Sequence, residues 1–253
     1  MSSRICSPYQ GLAGIYDYVM RHVDYGDWAA YIGGLLDRYE HCPTSLADLA
    51  CGTGNITFEL RRLGYPVALG VDASEAMLRV AREKAVTAGL EIDFLRRDLQ
   101  DLGGLGTFGA AVCIYDSANY LLSLDDVRLA LQQVYAVLQD GGLFIFDVCT
   151  EQNSLRYFRQ VHDEEVGPGF SYTRHSFYDA SDRLQVNDFA IRFDGLPEVV
   201  EEHHVQRIHA VADLLEVTAS GPFELLGAFD GFTFRRGSEQ SDRVHFVLRR
   251  PGA

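Results

Sequence analysis

Basic residues are scarce in this chain: 22 Lys and Arg stand against 36 Asp and Glu, a formal net charge of −14. Extended contacts with nucleic acid need clustered Lys and Arg, so this balance argues against a polyanion partner, although a local basic groove stays compatible with it. Long apolar runs are missing too. None reaches the length of a membrane span, and the first residues lack the charged-then-apolar pattern of a secretory leader. The expectation is a cytoplasmic protein with no membrane association. The five cysteines (Cys6, Cys42, Cys51, Cys113, Cys149) contain no C-x-x-C pair and are odd in number. They read as reduced packing residues, with a catalytic thiol as the weaker alternative. No internal repeat, low-complexity tract or proline-rich linker divides the chain.

What is present is apolar residues in quantity, 47% of 253. That suffices for one α/β domain with a decoration, or at most two small domains. The most specific stretch is Leu46-Ala47-Asp48-Leu49-Ala50-Cys51-Gly52-Thr53-Gly54-Asn55, an apolar strand entering a Gly-x-Gly turn. Asp72 ends the next apolar run, where it can accept hydrogen bonds from both hydroxyls of a ribose. The dinucleotide fingerprint G-x-G-x-x-G lacks its third glycine, because Thr57 follows Ile56, and no G-K-[ST] follows the turn. A pyrophosphate and a Walker loop are both disfavoured. Asp48, inside the strand, would repel phosphate and suits a ligand carrying an ammonium group.

Apolar residues at three- and four-residue spacing predict helix through residues 8–40, and Pro43 breaks the chain. Strand runs near 46–50, 66–71, 91–96, 109–115 and 142–148 then alternate with helical runs near 55–63, 74–88 and 125–138. Such alternation builds a doubly wound, mostly parallel sheet. After residue 150 three polar-apolar alternating runs (169–178, 184–194, 199–209) predict an antiparallel insert. A helix at 211–219 and strands at 223–229 and 243–249 complete the main sheet. The expected organisation is an N-terminal helical cap (1–43), a core (44–150), a β insert (151–210) and a C-terminal completion of the sheet (211–253).

The stretch D-L-A-C-G-T-G-N resembles motif I of the S-adenosylmethionine-dependent methyltransferases with a Rossmann-like fold. Later landmarks follow in the family's order: Gly70-Val71-Asp72-Ala73-Ser74, Arg97-Asp98-Leu99, Phe108 to Asp116, and Leu138-Gln139-Asp140-Gly141-Gly142. The resemblance covers about residues 45–150. It implies a seven-stranded sheet whose last strand is antiparallel, with S-adenosyl-L-methionine as cofactor and S-adenosyl-L-homocysteine as its product. It places Gly52 and Gly54 against the methionine part, Asp48 near its ammonium and Asp72 at the ribose, with Ala50, Thr53 and Ala73 also on the cofactor side. Asp98 and Leu99 would flank adenine. Met77 is carried on the cofactor side, with packing against the sheet as its stronger reading. Asp48 read instead as a cap of the turn, and Asp72 as a helix N-cap, are the structural alternatives.

Tyr16-Asp17-Tyr18-Val19-Met20 and Asp24-Tyr25-Gly26-Asp27-Trp28 resemble the N-terminus of a small bacterial branch, distantly similar to aminosugar N-methyltransferases, in which N-terminal helices close over the cofactor. Tyr16 and Tyr25 are therefore candidates for the ring beside the sulfonium, where cation–π attraction is worth roughly 0.5–2 kcal/mol. Tyr115 joins the cofactor side at the end of its strand. The loop after it carries the acceptor candidates Asp116, Asn119 and Tyr120, and it departs from the N-P-P-[YF] motif of base and amide N-methyltransferases. His204 and Arg207, in a strand resembling the branch's E-x-H-x-Q-R, are further candidates. His203 and His204 are adjacent, so on a strand they face opposite sides, and no metal site is expected. The expected activity is in-line methyl transfer to nitrogen or oxygen of a small molecule, by a monomer or homodimer. Methylation of RNA or protein, and cofactor binding without transfer, are the alternatives.

Overall fold

The computed structural model describes residues 3–252. The chain opens with β1 (Ser3–Cys6) and passes through a 3-10 turn (Leu12–Gly14), α1 (Tyr16–Val19) and α2 (Tyr25–Arg38). Then β2 (Leu46–Leu49), β3 (Val67–Asp72), β4 (Asp93–Arg96), β5 (Phe108–Cys113) and β6 (Leu138–Cys149) form parallel pairs. The helices α3 (Asn55–Arg62), α4 (Glu75–Ala88) and α5 (Leu124–Ala136) lie between them in sequence. Past β6, α6 (Glu151–Tyr157) leads into an antiparallel run of β7 (Gln160–Gly167), β8 (Phe170–Asp179), β9 (Leu184–Phe193) and β10 (Val199–Arg207). Finally α7 (Val211–Ser220), β11 (Glu224–Asp230) and β12 (Arg243–Arg249) return to the first sheet.

That sheet has the order β11-β12-β6-β5-β2-β3-β4, and β12 runs antiparallel to both neighbours. The mostly parallel seven-stranded α/β fold expected from the sequence is the fold found. β2 pairs with both β3 and β5, so the connections diverge at this point and open a crevice over the strands' carboxyl ends. Local signals set the helix limits. Ser74 caps α4 by accepting from Met77 N, left-handed Gly89 ends it, and Ser123 with Asp126 forms a capping box on α5.

Trp28, Ile32, Leu35 and Leu36 of α2 cover one face of the sheet against Leu46, Val112, Ile145 and Val247. Val127, Leu131 and Leu214 cover the other against Phe144, Phe146 and Phe246. A third cluster docks Leu12, Ile15 and Val19 on Phe170, Phe189 and Ile191 of the insert. Each such side chain contributes roughly 1.5–3 kcal/mol when fully buried, so the N-terminal segment is a packed wall of the crevice.

The second sheet differs from expectation. It has five strands in the order β1-β10-β9-β8-β7, not three, and the N-terminal region supplies one of them. β1 pairs parallel with β10 and is only four residues long, too short for a periodic signal. β7 is an edge strand of exposed and half-buried residues, so it lacks an apolar stripe. No helix among the described residues is long and apolar enough to cross a membrane.

Candidate functional site

One cavity of about 1220 Å³ opens over the carboxyl ends of the central strands. At one end the chain turns after β2 through left-handed residues Ala50 (φ 64°), Gly52 (φ 56°) and Gly54 (φ 83°). Ala50, Gly52 and Thr53 line the wall. Gly54 does not line it. A Cβ there would lie 2.8 Å from the Phe58 ring, so this glycine serves the packing of α3. Asp72 closes the turn: Gly52 N donates to its Oδ2 at 2.9 Å and Ser74 N to its Oδ1 at 2.7 Å. Ser74, not Asp72, is the N-cap of α4. Burial raises the Asp72 pKa, and the two N–H groups only partly oppose it. Beneath the turn Asp48 is 2% exposed and accepts the Thr57 hydroxyl. Burial pushes this carboxyl up to about 7, against the pull of Thr57 and with a further push from Asp72. A carboxyl poised near neutrality is sensitive to any cation brought beside it.

Ala73, Met77, Asp98 and Leu99 continue the wall away from the turn. Met77 is both a buried helix residue and a wall residue, while Asp98 accepts Gln100 N at 2.9 Å and keeps its other oxygen unbonded among the described residues. The N-terminal segment covers this half with Tyr16 and Tyr25. The Tyr25 hydroxyl is buried and has no hydrogen-bond partner among the described residues. Asp17 latches the cover down. It accepts from Thr53 Oγ1 at 2.6 Å, Asn55 Nδ2 at 3.0 Å and Nζ of Lys84, the chain's only lysine, at 2.7 Å. Sequence reasoning missed this residue, although it sits inside the Tyr16-Asp17-Tyr18 cluster.

The other end is built from side chains of distant segments. Tyr115 (φ 69°) and Asp116 (φ 52°) follow β5 in left-handed conformations, and their N–H groups donate to Asp147 at 2.6 and 3.1 Å. Strain of this kind persists where surroundings over-determine it. Arg243 binds Asp147 and reaches Asp116 Oδ1 at 2.8 Å, with its guanidinium 4.9 Å from the Trp28 ring centre. Gln206 holds the second Asp116 oxygen at 2.8 Å. Each Asp116 oxygen is thus held by a protein donor, and Asp116 is not on the cavity wall, whereas Tyr115, Ser117 and Tyr120 of its loop are.

Asn119 is a strut. Its Nδ2 donates to the carbonyls of Cys149 at 3.2 Å and Arg207 at 2.9 Å, and its Oδ1 accepts Cys149 N at 2.9 Å. Arg207 donates to the carbonyls of Leu122 and Asp182. Neither side chain is on the cavity wall. Tyr120 is on it beside Tyr9, and His204 lies behind both, 2.9 Å from the Tyr120 hydroxyl. Glu202, His204 and Gln206 share one buried face of β10, the period-two row E-x-H-x-Q. His203 points the opposite way and pairs with Asp188 on the exposed face. Tyr9, Glu202 and Arg243 were not singled out from the sequence. For Glu202 the signals were the alternation in β10 and its place at the head of the E-x-H-x-Q-R resemblance.

Residues 46–142 match the family model described as a methyltransferase domain. The chain is 32% identical over 245 residues to the methyltransferase-family protein YqeM of Bacillus subtilis (strain 168), covering 96% of this chain and 97% of that one. Its fold is similar to that of an S-adenosylmethionine-dependent methyltransferase from Clostridium acetobutylicum ATCC 824, with a TM-score of 0.81 and 24% identity over 96% of this chain and 99% of the other. It is also similar in fold to the sugar N-methyltransferase KedS8 from Streptoalloteichus sp ATCC 53650, with a TM-score of 0.75 and 19% identity over 92% and 91% of the two chains. The ordered motifs, the sheet with its antiparallel β12 and the full-length relative agree: the chain belongs to the S-adenosylmethionine-dependent methyltransferases.

Proposed function

We propose that this chain binds S-adenosyl-L-methionine in the half of the cavity floored by Asp48 and Asp72 and directs its methyl group to a nitrogen or oxygen of a small molecule held against Tyr9 and Tyr120. The observation that carries this reading is one continuous cavity, walled by the Gly52 turn at one end and by a tyrosine cluster at the other. The residues fit the cofactor. Each Asp72 oxygen accepts one N–H and keeps a lone pair, which suits two ribose hydroxyls. The Asp48 carboxyl suits the amino group, and the orphaned Tyr25 hydroxyl offers a further polar partner.

When bound, the cofactor supplies a methyl group already activated by a positive sulfur. The protein's task is then alignment and charge placement. Tyr16, Tyr25 and Tyr115 present rings around the cofactor half, where cation–π attraction contributes roughly 0.5–2 kcal/mol. Asp17 holds the N-terminal cover on the turn. Asp116, Asn119 and Arg207 are assigned to holding the acceptor wall, not to touching the acceptor. The sugar N-methyltransferase among the fold neighbours supports a small acceptor, as does the wall that the N-terminal segment and insert build around this end. Calorimetric titration with S-adenosyl-L-homocysteine, followed by a turnover screen of small amines and alcohols, tests the proposal. Binding and turnover of a small acceptor are expected, and turnover confined to RNA or protein would overturn it.

A further inference from the structure

The half-buried Tyr9 and Tyr120 and the buried His204 and Glu202 form one unbranched side-chain hydrogen-bond chain at the acceptor end. Tyr9 Oη lies 2.7 Å from Tyr120 Oη, Tyr120 Oη lies 2.9 Å from His204 Nδ1, and His204 Nε2 lies 3.0 Å from Glu202 Oε2. Glu202 sets the direction of the chain when the His204 ring is neutral. Its carboxylate also accepts Tyr9 N at 2.7 Å, Leu12 N at 2.9 Å and Gly11 N. Burial pushes its pKa up, but His204 and the N–H groups outweigh that and hold it below the ordinary range, so it is an ionised, acceptor-only group.

His204 Nε2 must therefore donate, and in the neutral ring Nδ1 is then an acceptor. Tyr120 has one hydroxyl proton and gives it to Nδ1. Tyr9 has one and gives it to Tyr120. Every hydrogen points away from the cavity, and Tyr9 Oη makes no other hydrogen bond among the described residues. What the chain offers the cavity is a lone pair. The circuit is closed through Glu202 Oε2, which binds both the imidazole and the backbone of Tyr9. Ser74 Oγ grips the Tyr9 carbonyl at 3.1 Å, so this left-handed residue (φ 63°) is held from two sides.

We propose that this chain is the proton exit of the methyl transfer, with Tyr9 as the catalytic group and Tyr120, His204 and Glu202 as the residues that orient it and carry the proton away. The inference rests on the small-molecule reading above and sharpens it: the acceptor atom is a protic hydroxyl or amine that must lose hydrogen. The acceptor's lone pair forms the new bond to carbon, and the pair of the broken carbon–sulfur bond stays on sulfur. The acceptor's proton passes to Tyr9 Oη as Tyr9's passes to Tyr120 and Tyr120's passes to His204 Nδ1. The electron pair of the former X–H bond remains on the acceptor atom. Burial and neighbouring groups raise the pKa of both phenols, so neither stores the reaction's charge as phenolate. The imidazolium beside Glu202 is where the proton rests.

Nitrogen-15 NMR of ring-labelled histidine in the full chain, with and without S-adenosyl-L-homocysteine, tests the direction of the chain. The His204 signals are assigned by their loss in His204→Gln or, should that variant not fold, by proximity to the Phe189 and Tyr9 rings, which lie 5.5 and 4.7 Å away. The expected result is a neutral ring protonated on Nε2. Tyr120→Phe should move the Nδ1 resonance toward the free imine value while Nε2–H is kept. A neutral ring protonated on Nδ1, or an Nδ1 resonance unmoved by Tyr120→Phe, would overturn the proposal. These readings need no acceptor. A chain that fails to bind S-adenosyl-L-homocysteine would instead remove the functional reading beneath it.

Discussion

The two ends of the cavity are built in opposite ways. The donor end is local: Gly52 and Asp72, 20 residues apart, and Asp48 and Thr57, 9 apart, make its floor from a backbone turn and two strand-end acids. The acceptor end joins residues separated by 193 (Tyr9 and Glu202), 111 (Tyr9 and Tyr120) and 127 positions (Asp116 and Arg243). One end depends on a few dihedral angles near β2, the other on docking of the N-terminal segment, the insert and β12. Changes at the donor end should act mainly on cofactor affinity. Changes at the acceptor end should act on stability and on transfer.

The largest effect should come from Arg243→Met. It strands the buried carboxylates of Asp116 and Asp147, and denaturant unfolding should record a loss of about 3–5 kcal/mol. Undiminished stability would mean that the acceptor wall does not lean on this network. Asp48 comes next and titrates. Its folded pKa of about 7 lies above the ordinary aspartate value of 3.8, so its favourable contribution is complete below the lower value and is lost as pH rises through the higher one. Relative to Asp48→Asn, the cofactor-free wild type should therefore lose on the order of 3 kcal/mol between about pH 4 and pH 8. Over the same range its affinity for S-adenosyl-L-homocysteine should rise, because the ammonium favours the carboxylate. A flat pH profile for both would remove Asp48 from the donor end.

Asp72→Ala should weaken S-adenosyl-L-homocysteine binding about a hundredfold, close to 2.7 kcal/mol, by calorimetry. Asn119→Ala should do the reverse, costing about 2 kcal/mol of stability while cofactor affinity holds, because three buried hydrogen bonds disappear. Equal losses of affinity in the two variants would erase the distinction between the ends. The smallest effect belongs to Asp17→Ala. Release of a partly exposed latch should weaken the cofactor about fivefold, near 1 kcal/mol.

The same contrast decides what the sequence could disclose. The shape of the Gly52 end was legible because it is written in consecutive residues: an apolar strand, a glycine turn and an acid at the next strand's end. The buried runs of β5 and β6 disclosed the sheet for the same reason. Gly54 carried a misleading signal, since a glycine that makes room for Phe58 looks the same in sequence as one that approaches a ligand. Asp116 and Asn119 lie in the loop whose Tyr115, Ser117 and Tyr120 line the cavity, but neither is on its wall. Their roles were not legible, because the partners that engage them (Arg243, Gln206, Cys149) lie on other strands. Tyr9 read only as one member of a helical period. Its position against Tyr120 depends on β1 pairing with β10 and on Glu202 gripping the segment, and no local pattern records either. Asp17 was within sight, but its three partners come from the turn, α3 and α4.

The central claim is that one cavity holds a sulfur donor at its local end and delivers the methyl group to its assembled end. Crystals grown with S-adenosyl-L-homocysteine test it most directly. The account predicts the ribose hydroxyls on Asp72, the amino group toward Asp48, and the sulfur facing the space before the Tyr9 and Tyr120 hydroxyls. A ligand whose sulfur turns instead toward Asp98 and the outer rim, leaving the tyrosine cluster behind the homocysteine, would contradict it.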